Sequence, residues 1–272
     1  MSATIVTAFY DIGRSEWESP MFRRSVNEYM EAFSNLLRFD YPMIVFIDAR
    51  HHDRVMSMVE SSEFKHNKTI IPIDEDWMNQ NIWVWSRLGR EREIMQSQEY
   101  RSLIPRRMEL RYPENVNPMY TILTHSKVDF LCHAIENDVS DSRFFMWVDF
   151  GYLSKKAMAG FVPHRHIDCS KMIDGKVILC CLNGGLSSRD FDVLYTLQAA
   201  PEKMAGGVFV GDRDSLIKFR DISHRCLLRY QELNLADDEQ AVWLQCLLQD
   251  PSLFSVHVFD GWHCSLKYFT KE

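Results

Sequence analysis

The chain has 272 residues, 46% of them hydrophobic and 25% charged, with a formal net charge of -7. This is the make-up of a globular protein of one large or two small domains; the acidic balance argues against nucleic acid as the main partner, and no apolar run reaches the ~18 residues that cross a bilayer. The N-terminus lacks a basic stretch with a signal-like apolar core, and the seven cysteines include no C-x-x-C pair, so reduced thiols in a cytoplasmic protein are expected rather than disulfides or a zinc site.

Residues 4–9 read as a strand and 10–19 as a loop holding Asp11, Gly13 and Arg14. Residues 22–37 have helical spacing, with Phe22, Val26, Tyr29, Met30, Phe33 and Leu37 three or four apart. Tyr41-Pro42 breaks the pattern. A second strand, 43–47, ends at Asp48. A helix over 51–61 and a third strand over 69–73 follow, with Pro72 pointing to an edge or strand end. This alternation predicts a parallel, doubly wound sheet.

Residues 76–111 are rich in Trp, Arg and Glu and read as helical and partly exposed. Residues 120–137 form a helix with Thr124, Val128, Leu131 and Ile135 on one stripe; Lys127 lies at the stripe's edge, where a lysine stem can be buried. The run Phe144 to Val148 is continuously apolar, as for a strand covered on both faces, and ends at Asp149 with Gly151 two residues on. Residues 157–174 read as irregular. Strands are expected over 176–182 and 208–210, the latter after a turn at Gly206-Gly207. Helices are expected over 190–197, 215–233 and 237–248, then a strand over 254–259 and a tail from 260.

No G-x-G-x-x-G follows the first strand, and G-x-x-x-x-G-K-[ST] and G-x-S-x-G are absent, so a dinucleotide site, a P-loop and a nucleophile elbow are unsupported. Ligands of open α/β sheets bind beyond the carboxyl ends of strands. Val148, Asp149 and Gly151 are placed for a metal–phosphate group there; the competing reading is a capped turn with Gly151 at positive φ. Asp237 followed by Gln240 fits a capping box, with acids in a first helical turn.

Several segments together resemble the HtrL/YibB (WlaTC-like) family. They are Thr4-Ile-Val-Thr-Ala-Phe-Tyr-Asp-Ile-Gly-Arg14, residues 43–48, Ser126-Lys127, Trp147-Val-Asp-Phe-Gly151, Gly206-Gly-Val-Phe-Val-Gly211 and Asp238-Glu-Gln240. Members of that family occur in bacterial surface-polysaccharide loci, with related proteins in large DNA viruses. The family in turn looks like GT-A glycosyltransferases. The resemblance implies a single domain over 1–272 with a Rossmann-type, mixed, mainly parallel sheet flanked by helices. Residues to about 151 would form the nucleotide-sugar half and the rest the acceptor half.

It also implies transfer of a sugar from a UDP-sugar (UDP-xylose, UDP-glucose or UDP-galactose) to a glycan hydroxyl with Mn²⁺ or Mg²⁺. Asp149-Phe150-Gly151 would stand at the Asp-x-Asp position, with Gly151 replacing the second acid. Asp149 and His263 would hold the metal, and Lys267, Lys127 and Arg14 would meet phosphate. Thr7, Phe9, Tyr10 and Asp11 would face the base, and Gly206 and Gly207 the donor sugar. Asp238, or failing it Glu239, would be the base of an inverting transfer. The alternatives are a non-catalytic nucleotide- or glycan-binding relative and a phosphohydrolase using Asp48 and Asp149, which needs more clustered carboxylates.

Overall fold

The computed structural model describes residues 2–272 apart from Asp138 and Phe161. Strands β1 (Ala3–Phe9), β2 (Met43–Asp48), β3 (Lys68–Ile73), β4 (Phe144–Val148), β5 (Val177–Cys181), β6 (Met204–Asp212) and β7 (Phe254–Val258) form one seven-stranded sheet in the order β3-β2-β1-β4-β6-β5-β7. All run the same way except β6, which is antiparallel to both neighbours. The fold is α/β, with a mixed, mainly parallel sheet flanked by helices.

Successive side chains along a strand face opposite ways. On β4, Phe145 and Trp147 enter one core while Phe144, Met146 and Val148 enter the other. Both faces are covered, so the strand is apolar at every position. Helices Pro118–Glu136, Arg213–Glu232 and Glu239–Gln249 contribute to the first core, and Val26–Leu36 and His52–Glu60 to the second. Truncating a ring such as Trp147 or Phe145 would cost about 3–5 kcal/mol through the cavity left behind.

Local chemistry sets the helix starts. Ser25 and Glu28 close a capping box on Val26–Leu36, so this helix begins four residues after Phe22. The stretch read as helical from 76 breaks into Glu75–Asn81, Leu88–Gln96, Gln98–Leu103 and Pro105–Leu110. Pro105 stands in the first turn of its helix, where its missing N–H is no loss.

Three expectations are corrected. Gly206 and Gly207 lie within β6 rather than before it, and β6 reverses the sheet's direction. Periodicity marks a strand but not its direction. The stretch 157–174 is not wholly irregular: helix Lys155–Gly160 runs into it and His166–Ile167 forms a small ribbon with Thr270–Lys271, while Phe161 lies outside the described residues. The tail also contains a helix, Cys264–Tyr268.

All seven cysteines are free thiols. Among the described residues, no helix is long and apolar enough to cross a membrane.

Candidate functional site

From β1 the chain proceeds outward through β2 and β3, then returns to place β4 on the other side of β1. The carboxyl ends of β1 and β4 therefore flank a topological switch point, where a crevice forms. β6 runs the opposite way, so its first residues reach the same edge: Asp149 N–H donates to Gly207 O at 2.9 Å. A cleft of about 690 Å³ opens there. Of the residues singled out in the sequence, Phe9, Tyr10, Asp11, Arg14, Lys127, Asp149, Gly151, Gly206, Gly207, Glu239 and His263 line it. Thr7, Val148, Asp238 and Lys267 do not.

Lys127 is the ionic centre of the cleft floor. Its helix is buried on nearly every side, and Lys127 is buried with it rather than snorkelling out. Its Nζ lies 2.7 Å from Glu239 Oε1 and 3.1 Å from Asp149 Oδ1, and donates to Gly206 O at 3.0 Å. Burial works against the ammonium charge, but Asp149 and Glu239 together raise its pKa above the ordinary lysine value. Glu239 is 1% exposed, and its Oε2 is buried without a hydrogen-bond partner. A Cβ at Gly206 would fall inside this carboxylate, so a glycine is required there by space.

Asp149 is held differently. Trp147 Nε1 donates to its Oδ1 at 2.7 Å, fixing the rotamer, while Oδ2 has no hydrogen-bond partner among the described residues. The Asp149 side chain is 41% exposed. Gly151 is not at positive φ. Its requirement is also spatial: a Cβ would stand 2.9 Å from the Tyr29 ring and 3.1 Å from an Arg24 nitrogen.

The tail brings His263 to the same wall. The Tyr152 hydroxyl donates to Trp262 O at 2.8 Å and lies 2.8 Å from the Ser265 hydroxyl, while its ring meets the His263 ring edge-on at 5.3 Å. A Cβ at Gly207 would be 3.1 Å from the Tyr152 ring and 3.6 Å from Asp149 Oδ2, which ties these groups to one spot. Burial, with Lys156 and Arg24 nearby, lowers the His263 pKa and keeps the imidazole neutral. Its Nδ1 is buried without a partner.

A neutral imidazole with an unpartnered nitrogen and an open carboxylate oxygen suit a divalent cation. No group of three or more His, Cys, Asp or Glu that could hold a metal occurs among the described residues. The protein would thus supply two ligands and leave the others to water and ligand oxygens, as Mg²⁺–phosphate sites often do.

Cations ring the opening. Arg14 donates to Phe22 O at 2.8 Å and Tyr29 Oη at 2.9 Å, both uncharged. Arg24 stacks on Tyr29, and Lys156 is exposed at the start of its helix. Neither Arg24 nor Lys156 has a carboxylate within 4.0 Å among the described residues, although Arg24 is near enough to help lower the Glu28 pKa. Arg24 and Lys156 were not legible: one precedes a capped helix and the other lies in a short helix with no periodic signal. The expected phosphate contact, Lys267, is exposed on the tail helix outside the cleft.

The N-terminal loop is largely self-bound. Asp11 accepts from Gly13 N at 3.0 Å and lies 3.4 Å from His51 Nε2. Phe9 packs against Tyr29 and Phe150 with centroids 4.8 and 5.2 Å away. Tyr10 meets Trp85 edge-on at 5.4 Å. Thr7 and Val148 are buried strand residues.

Asp238, rather than Asp237, caps the Glu239–Gln249 helix, accepting from Gln240 N at 3.0 Å and Gln240 Nε2 at 3.2 Å. Burial beside Glu239, Asp237 and Glu114 raises its carboxyl well above the ordinary range. Asp237 is buried against Arg107, 3.7 Å away. Glu239 and Gln240 face the cleft. Asp48, the second acid of the phosphohydrolase alternative, is taken up by Arg50 and by Asp11 N at 3.1 Å.

These features define an α/β protein with a charged cleft at the switch point of its sheet. The chain belongs to the HtrL_YibB family, described as "Bacterial protein of unknown function (HtrL_YibB)", whose profile matches residues 1–271. It is 24% identical over 266 residues to Protein HtrL of Escherichia coli (strain K12), covering 94% of this chain and 87% of that protein. Mouse xyloside xylosyltransferase 1, in its apo crystal structure, superposes with a TM-score of 0.44 at 11% identity, covering 94% of this chain and 85% of the other.

Proposed function

We propose that the chain is a GT-A-type glycosyltransferase that moves a sugar from a UDP-sugar to a hydroxyl of a glycan acceptor. The observation that carries this reading is the pairing, in one switch-point cleft, of Arg24 and Lys156 with an open carboxylate and an unpartnered imidazole. Cations without carboxylate partners suit a diphosphate, and departure of a sugar leaves negative charge there. Asp149 and His263 would hold Mn²⁺ or Mg²⁺. When bound, that metal supplies Lewis-acid stabilisation of the leaving group.

The protein's own groups divide the remaining work. Lys127 holds Asp149 and Glu239 in place. Arg14, Arg24 and Lys156 bind phosphate, and Tyr10 is the ring available to a base. Gly206 leaves room for the Glu239 carboxylate and Gly207 for the Tyr152 ring at the cleft floor. For an inverting transfer, geometry ranks before basicity in choosing the base. Glu239, in the cleft, therefore becomes the first candidate and Asp238, turned to Gln240, the second. Exchange to Glu239→Gln and Asp238→Asn ranks them: the true base should lose roughly 10²-fold or more in transfer.

Calorimetry with UDP and with UDP-xylose, UDP-glucose and UDP-galactose tests the reading. Binding should require Mn²⁺ or Mg²⁺ and be lost in Asp149→Ala, which should still fold but lose about 1–3 kcal/mol, because the buried Trp147 N–H and Lys127 each lose a partner. Tight, metal-independent UDP binding by that variant would overturn it. One observation favours the non-catalytic alternative: Lys127 already pairs with both Asp149 and Glu239. Donor binding without hydrolysis or transfer would decide for that alternative.

A further inference from the structure

A second concavity, of about 330 Å³, lies among the short helices between 88 and 118. Three arginines, Arg92, Arg101 and Arg111, line it together with Met95 and Met108, and no acidic residue does. In a chain with net charge -7, such a local surplus of guanidinium groups runs against the bulk composition. Arg92 has no ion-pair partner among the described residues. Arg101 uses only its Nε, on Met95 O at 2.9 Å, which leaves its two terminal nitrogens. Arg111 is 3.2 Å from Glu18, but both side chains are half or more exposed, so this pair is weak. Arg87 and Arg90 are engaged on Gln231, and Arg107 on Asp237.

The pocket adjoins the cleft. Pro118 lines one and Tyr120 the other, on the first turn of the same helix. Arg111 reaches Glu18 in the segment whose Trp17 packs edge-on against Tyr120 at 5.8 Å. From Pro118 to Lys127 the helix rises about 13 Å at ~1.5 Å per residue. A molecule extending from the cleft past Tyr120 and along the Trp17–Glu18 segment would meet Arg111 first.

We propose that this pocket seats an anionic substituent, phosphate or carboxylate, of the saccharide acceptor. Planar guanidinium groups bind both oxyanions in a two-pronged manner, and the methionines give the sugar an apolar floor. The acceptor role rests on the transferase reading; the anion site does not.

The test is methyl NMR on protein labelled with [¹³C]methyl-methionine, with Met95 and Met108 assigned through Met95→Leu and Met108→Leu. Glucose 6-phosphate, glucuronate and glucose are titrated with and without UDP and Mn²⁺. Glucose 6-phosphate, glucuronate or both should move the two methyl signals saturably, which identifies the anion, while glucose does not. Arg92→Ala with Arg101→Ala should weaken that binding roughly tenfold or more, since one charged hydrogen bond is worth about 1.5 kcal/mol or more. UDP should move neither methyl and should bind the double variant as it binds the parent. If the double variant fails to fold, Arg92→Ala alone carries the comparison, because Arg92 is exposed. The proposal falls if neither anion moves the methyls, if glucose moves them equally, if the arginine variants titrate like the parent, or if UDP itself fills the pocket. Absence of UDP binding, with the sugar-phosphate shifts intact, overturns the transferase reading and the acceptor role but leaves the anion site standing.

Discussion

Strands β2 and β4 run in the same direction, each is a buried apolar run, and each leads to an aspartate at its carboxyl end, Asp48 or Asp149. Asp48 is 3% exposed. Its oxygens accept from Arg50 Nε at 2.9 Å, Arg50 N at 3.0 Å and Asp11 N at 3.1 Å. Burial opposes its charge, yet Arg50 and the Asp11 amide hold its pKa below the ordinary value. Asp149 has Trp147 and Lys127 on one oxygen and leaves the other open to the cleft. The difference lies two residues on. Arg50 folds back and closes its aspartate into the loop, whereas Gly151 has no side chain to do so and makes room for Tyr29 and Arg24. One aspartate therefore builds the wall and the other faces what the wall encloses.

The partners offer the sharpest way to break this contrast. Lys127→Ala would strand Glu239 as a buried, unpaired carboxylate, which costs about 3–5 kcal/mol. Chemical denaturation should show that loss, and near-parent stability would mean that Lys127 is not the ionic centre described here. Asp48→Ala comes next. It should cost about 2 kcal/mol through the loop bonds, weakening UDP binding only through the displaced Asp11 segment. If instead it abolished binding with no change in stability, Asp48 would be a ligand contact and the comparison would collapse.

A gentler change is Gly151→Ala, which pushes a methyl into the Tyr29 ring that supports Arg14 and Arg24. We expect about 1 kcal/mol of destabilisation and a several-fold weaker UDP affinity by calorimetry; unchanged affinity would show that Tyr29 does not set the two arginines. The smallest effect concerns His263. Its proton should dissociate with a midpoint below 6.5, read from its ring signal by NMR. For a histidine whose folded pKa is depressed, the neutral form favours the fold. That contribution is present above the unfolded value and is lost as pH falls through the folded one. Lys156→Ala should move the midpoint upward, because one repelling charge is gone. A midpoint at or above 6.5 in the parent would contradict the environment described for this ring.

The comparison also shows what a sequence can and cannot reveal. The apolar run ending at Asp149 and the alternation over the first 75 residues were legible, because burial on both faces and helical spacing leave local patterns. Asp48 and Asp149 looked alike, since what separates them is which neighbour folds back. The direction of β6 was hidden because pairing is a long-range choice. Gly206 looked like a turn, although its cause is a carboxylate from residue 239. Arg24, Lys156 and the inward turn of Glu239 depend on contacts across more than a hundred positions, which no local window contains. Lys267 came from the family resemblance, and it lies on the short tail helix outside the cleft.

The tie from Tyr152 to Trp262 and Ser265 has a kinetic meaning. The cleft wall takes its first residue from Ala8 and its last from His263, so it consists almost wholly of contacts distant in sequence. Such contacts form late, after loop-closure entropy has been overcome. A refolding chain should regain its helical signal before it regains affinity for a cleft ligand, and the phenol of Tyr152 would be among the last groups to find its partners. A ligand that needs His263 would then bind only the finished fold, and would stabilise it by mass action against every partly folded form.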